Sequence, residues 1–245
     1  MTKLDWSAAT RADVDADAFA SLVAAVATQA DYATFEFAPD GALSVTACSP
    51  DHVTMVRAAM PPGSFSAQLP ARLTFRLSHL ADALKGLRGP AVVEHIPGRV
   101  RIGGGGFRTV VPLESREELP RFPDLAMSAT AILSPVPLSA LISKAGKEVG
   151  AVRIAIGPDG LSADTLDDEG LGSSVDIPAD ACAFIEGTAS AAYPVKPWAE
   201  ILRAVPKDAD VSVEFDSSYP VRVSYDGSGW SMSWLCAPRI EEEDL

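Results

Sequence analysis

The chain has 245 residues, 47% of them hydrophobic and 22% charged, with a formal net charge of −13. That is enough apolar material for one large domain or two of ordinary size. No apolar run reaches the roughly 18 residues of a membrane helix, and Met1 to Arg11 holds no apolar signal-peptide core. Cys48, Cys182 and Cys236 stand singly, without CxxC or Cys/His spacing. This argues against a metal site or a disulfide framework and fits a reduced, cytoplasmic setting. The acid excess repels phosphate in bulk, so nucleic-acid binding requires the 20 basic residues to gather on one surface.

In chain order, residues 15–30 are predicted to form a first helix. Ala33-Thr34-Phe35-Glu36-Phe37 alternates with the period of a half-buried strand and runs into a Pro39-Asp40-Gly41 turn. Residues 78–87 read as a short amphipathic helix, followed by strand-like runs at 91–95 and 99–102. Residues 114–125 are charged and carry Pro120 and Pro123, as an exposed connector does. Helix periodicity returns at 138–149 and a strand at 151–156. A Pro158-Asp159-Gly160 turn comes next, then a helix at 196–205 and strands at 211–215 and 221–225.

The second half repeats the first. The two Pro-Asp-Gly turns are 119 residues apart (158 − 39), and the paired helices starting at Leu80 and Trp198 are 118 apart (198 − 80). Two motif pairs in the same order at nearly one offset indicate an internal duplication. Strands outnumber helices and several are joined by hairpin-length turns. The expected fold is therefore α+β, with antiparallel sheets and helices packed on one face.

Three further motifs carry a resemblance: Ser49-Pro50-Asp51-His52-Val53-Thr54-Met55-Val56, Tyr219-Pro220-Val221-Arg222-Val223, and the terminal Trp234-Leu235-Cys236-Ala237-Pro238-Arg239-Ile240 with its acidic tail. On a duplicated chain of this length they resemble the PCNA family of DNA sliding clamps, and archaeal more than eukaryotic members. The resemblance implies two similar clamp domains, 1–116 and 129–245, joined by a connector at 117–128. It implies a ring of three subunits, a homotrimer of the same chain, with sheets outside and helices lining a hole for duplex DNA. Such a ring tethers polymerase and other replication and repair enzymes and is opened by a clamp loader. It has no cofactor, catalytic residue or metal.

By that resemblance Lys85, Lys144, Lys196 and Arg203 line the hole, and Arg88, Lys147 and Lys207 extend the basic pattern. Each taken alone also suits a solvated helix face. Residues 12–56 contain no Lys or Arg, a departure from a family that usually places lysines on the first helix. The client-peptide groove would be lined by Cys48, Val53 and Met55, by Leu119, Pro120 and Phe122 of the connector, and by Pro220, Leu235, Ala237 and Pro238. Ring closure would pair Arg108-Thr109-Val110-Val111 with Ser173-Ser174-Val175-Asp176-Ile177 of the next subunit, through sheet edges. Gly103 to Gly106 lack the Gly-Lys-Ser/Thr of a phosphate loop, and His52, His79 and His95 are scattered. A subunit of a mixed ring, a clamp-like binding module and an enzyme with an unrecognised site remain as alternatives.

Overall fold

The structure is a computed structural model that describes residues 4–67, 69–70, 72–115, 121–145, 149–166, 172–227 and 229–239. It divides into two compact units. The first takes Met1–Pro50, Val56–Phe122 and Ser228–Ser231; the second takes Asp51–Met55, Pro123–Gly227 and Met232–Leu245.

The first unit contains β1 (Thr10–Asp15), α1 (Ala16–Val26), β2 (Tyr32–Phe37), β3 (Leu43–Cys48), β4 (Thr54–Met60, whose first two residues fall in the second unit), β5 (Arg72–Arg76), α2 (Leu77–Leu84), β6 (Pro90–Ile96), β7 (Arg99–Gly104) and β8 (Phe107–Pro112). Its strand orders are β1-β6-β7-β8 and β5-β2-β3-β4. In β3, Leu43, Val45 and Ala47 are buried while the residues between them are half-exposed, the alternation a one-sided strand requires. Helix α1 buries Phe19, Leu22, Val23 and Val26, a stripe of positions three and four apart. Its start is fixed by Asp15, whose side chain accepts from the Ala18 N–H at 2.8 Å.

The second unit contains β9 (Ala129–Leu133), α3 (Val136–Lys144), β10 (Ala151–Gly157), β11 (Gly160–Leu166), β12 (Gly172–Pro178), a short 3-10 turn, β13 (Phe184–Glu186), β14 (Ala189–Pro194), α4 (Val195–Ala204), β15 (Val211–Phe215), β16 (Val221–Asp226) and β17 (Ser231–Cys236). Its strand orders are β14-β10-β11-β12 and β13-β9-β15-β16-β17. With β13 set aside, β1-β6-β7-β8 corresponds to β9-β15-β16-β17, and β5-β2-β3-β4 to β14-β10-β11-β12. The duplication in the sequence is thus a duplication of topology.

Both Pro-Asp-Gly turns need their glycine. Gly41 has φ +81° and Gly160 φ +141°, and a Cβ at either would overlap a carbonyl oxygen, of Phe65 and Ile177 respectively. The cores differ in chemistry. Phe19, Phe35, Phe37, Phe65 and Phe75 meet edge-to-face in the first unit, with centroids 5.1–6.1 Å apart. The second packs Tyr193 against Trp198 and Phe215, and the Tyr193 hydroxyl donates to the Tyr219 carbonyl at 2.9 Å.

Three of the four helices are shorter than the periodicity predicts. After Val26 the Thr28 hydroxyl takes the Ala25 carbonyl, and the chain turns instead of continuing to Ala30. Helix α2 stops at Leu84 because Gly86 and Gly89 take positive φ of 82° and 61°. Helix α3 starts at Val136, two residues before the expected 138, and ends at Lys144 rather than 149.

Candidate functional site

Helix α1 packs on α2, and α3 on α4. With their apolar stripes turned inward, the residues left outward decide what the helix surface can bind. On α4 these include Lys196 and Arg203, seven apart on one face, opposite buried Trp198, Ile201 and Leu202. Lys144 ends α3 exposed, and Lys207 lies exposed beyond α4. Lys85 is exposed as the residue closing α2 rather than within it. Among the described residues none of these five forms an ion pair. Arg88 does: its guanidinium lies 3.5 Å from Asp17 of α1 and donates to the Leu87 carbonyl at 2.8 Å. Lys147 lies outside the described residues. The outward positions of α1 are Asp17, Ser21 and Ala24. Its surface thus offers phosphate no cation of its own.

Of the expected groove residues, Val53, Met55, Pro220, Leu235, Ala237 and Pro238 belong to the second unit. There the Ala237 N–H donates to the Val53 carbonyl at 2.9 Å, joining two of them directly. Val53, Met55, Pro220 and Pro238 are half-buried, Ala237 is exposed and Leu235 is buried. Next to Leu235, burial pushes the Cys236 thiol up to about 12, which keeps it protonated at neutral pH. Cys48 and Phe122 belong to the first unit and are half-buried. Leu119 and Pro120 lie outside the described residues.

The two strands expected to close a ring are both at sheet edges: β8 is bonded only to β7, and β12 only to β11. Each leaves one row of backbone N–H and C=O groups open. Sequence reasoning began the first strand at Arg108 and missed Phe107, which starts β8 and is 75% exposed. An aromatic residue straight after a glycine run was the available signal. A second feature had no local signal. Arg101 donates to Glu94 at 2.6 Å across β6 and β7 while lying 4.3 Å under the Trp6 ring. This hydrogen bond holds the Glu94 carboxyl below the usual carboxylate range, with Arg108 and Arg11 adding their fields. Beside β12 a pocket of about 420 Å³ is lined by Ile156, Leu161, Ile177 and Pro178 among others.

Among the described residues no three of His, Cys, Asp and Glu gather as a metal would require, and no helix is long and apolar enough to cross a membrane.

No family model matches the chain. A curated protein, the DNA polymerase sliding clamp of Natronomonas pharaonis, is 24% identical over 136 residues, 53% of this chain and 54% of that one. The match therefore spans about half the length of that relative. Solved structures match over nearly the whole chain. That of the C-terminal region of FEN-1 bound to A. fulgidus PCNA aligns with a TM-score of 0.83 at 18% identity, covering 95% of this chain and 99% of that one. PCNA from Thermococcus kodakaraensis aligns at 0.80 and 21%, covering 94% and 100%. The PCNA2-PCNA3 complex from Sulfolobus tokodaii aligns at 0.79 and 21%, covering 95% and 100%. Repeated strand order, paired helices and this likeness together show that the chain has the fold of the PCNA-type sliding clamps.

Proposed function

We propose that this chain is a DNA sliding clamp: a ring-forming subunit without catalytic chemistry of its own that encircles duplex DNA and tethers polymerase and other client proteins to it. The observation that carries the reading is the repeated strand order, which leaves β8 at a sheet edge of the first unit and β12 at a sheet edge of the second, the two edges that head-to-tail closure needs. The helix cations fit the role. Lys85, Lys144, Lys196 and Arg203, with Arg88, Lys147 and Lys207 around them, would meet phosphates and read no bases. Replaceable ion pairs to an evenly charged backbone hold DNA while letting the ring slide, and the acid excess elsewhere discourages binding outside the hole. Client peptides with apolar anchors would dock on Val53, Met55, Pro220, Ala237 and Pro238, with Cys48, Leu119, Pro120, Phe122 and Leu235 contributing. The setting would be cytoplasmic, at the chromosome.

Primer extension on circular DNA with a polymerase and a clamp loader tests the reading. Added protein should lengthen the products made in one binding event, and unchanged product length contradicts it. The base-free outward face of α1 favours a second reading, in which this chain takes one place in a mixed ring. The mass of the pure chain in solution separates the two: three copies for a self-closing ring, one for a subunit awaiting partners.

A further inference from the structure

We infer that the open face of the β1-β6-β7-β8 sheet is a docking site for an acidic peptide segment of a partner protein, held between Arg11 and Arg108. The site lies wholly in the first unit and does not depend on the chain closing a ring. One face of this sheet is buried, through Ala12, Val93, Val100 and Ile102, and α1 and α2 contact its edge strands β1 and β8. On the other face the register sets Arg11, Glu94 and Arg101 in one row and Val92, Gly103 and Arg108 in the next. Arg99 completes the set on β7. The chain as a whole carries −13, yet this face holds four arginines against Asp13 and Glu94, with Asp15 committed to the start of α1.

Three observations point to a ligand bearing carboxylates. The sheet already holds one: Arg101 grips Glu94 beside the Trp6 ring, and that pair is satisfied. Arg108 forms no ion pair among the described residues, and Arg11 meets Asp13 only at 3.9 Å, with both side chains more than half exposed. So loose a contact is readily exchanged for a better one. Second, a cavity of about 340 Å³ separates Arg11 from Arg108, with Glu94 and Phe107 in its wall. Third, glycine keeps it open. A Cβ at Gly103 would come within 2.8 Å of the Phe107 carbonyl oxygen and 3.0 Å of the Arg108 side chain. The cations on this face are all arginine, whose planar fork matches a carboxylate with two hydrogen bonds. A continuous phosphate backbone would meet Asp13 and Glu94 as repulsion, whereas a peptide can place its acids only where the arginines lie. Arg11 and Arg108 stand three strand spacings apart, about 14 Å at the backbone, the span of roughly five extended residues. Phe107, 75% exposed, offers the stem of such a peptide an apolar neighbour.

Fluorescence anisotropy on the full chain tests this, with a labelled peptide of alternating Glu and Ser as the probe. Wild type should bind it, should not bind the counterpart with Gln in place of Glu, and should release it as salt rises. Arg11→Glu and Arg108→Glu should each raise Kd about tenfold, and Gly103→Val, which fills the cavity, should do the same. Arg57→Glu makes the same charge change at an exposed residue of β4 outside the site and should leave Kd within about twofold. A melting curve on each variant checks folding; Arg11→Glu, at an exposed side chain, carries the test if Gly103→Val does not fold. No binding by wild type, or an equal loss from Arg57→Glu, overturns the site. So does a labelled oligothymidylate that binds more tightly than the peptide and is weakened by the same reversals, since the face would then take nucleic acid. None of these results bears on the clamp reading, which primer extension tests separately.

Discussion

In the first unit the outward positions of α1 are Asp17, Ser21 and Ala24; in the second, its counterpart α3 ends in exposed Lys144, and α4, the counterpart of α2, exposes Lys196 and Arg203. The strand orders around them are the same. What the two units share is what packing dictates: buried stripes on helices, alternation on strands and glycines at two tight turns. What they do not share is the chemistry left facing outward. In the first unit Asp17 also engages Arg88, so an acid draws on a cation that phosphate could otherwise use. Repetition of a fold therefore does not repeat its surface, and DNA contact through the proposed ring should be carried mainly by the second unit.

The largest expected effects break the shared part. Phe35→Ala in the first unit and Trp198→Ala in the second should each cost about 3–5 kcal/mol in chemical denaturation, because both side chains are buried in aromatic clusters. A loss under about 1 kcal/mol at either site would mean that its aromatic cluster is not the core. The intermediate effect sharpens the difference. Removing Lys144, Lys196 and Arg203 together should flatten the salt dependence of DNA contact by up to about 0.9 in log–log slope per phosphate freed, and Ser21→Lys on α1 should steepen it. Equal losses from removing Lys85 and Arg88 would put the two units on the same footing. The smallest effect concerns the β1-β6-β7-β8 sheet of the first unit. The Glu94 carboxyl is held low by Arg101, so its contribution to stability is present above the ordinary carboxylate range and fades as pH falls through the lowered value. Melting temperatures followed from pH 7 downward should drop less steeply for Glu94→Gln than for wild type; parallel curves would remove the ion pair from the account.

The sequence was legible where local pattern and packing agree. The two Pro-Asp-Gly turns revealed the duplication because both need a glycine at positive φ. The four helices showed through their apolar spacing. Their ends did not, since the Thr28 hydroxyl and the glycines at 86 and 89 overrode a periodicity that ran on. Strand β1 had no residues assigned from sequence because Ala12 and Val14, its buried residues, are small and lie among Arg11, Asp13 and Asp15. Arg101 between Trp6 and Glu94 depends on cross-strand register, which no single segment encodes. Lys85, Lys144, Lys196 and Arg203 could be named from sequence, but their exposure could not. Phe107 was passed over because its meaning lies in an edge position that only the strand order reveals.

As the sliding clamp proposed above, the chain would hold DNA by enclosing it and not by gripping it. The direct measurement loads the protein with a clamp loader onto a nicked circular duplex, removes free protein, and compares retention before and after the circle is cut once. Enclosure predicts stable retention on the circle and rapid loss from the linear form. Equal retention on both, or none on either, would contradict it.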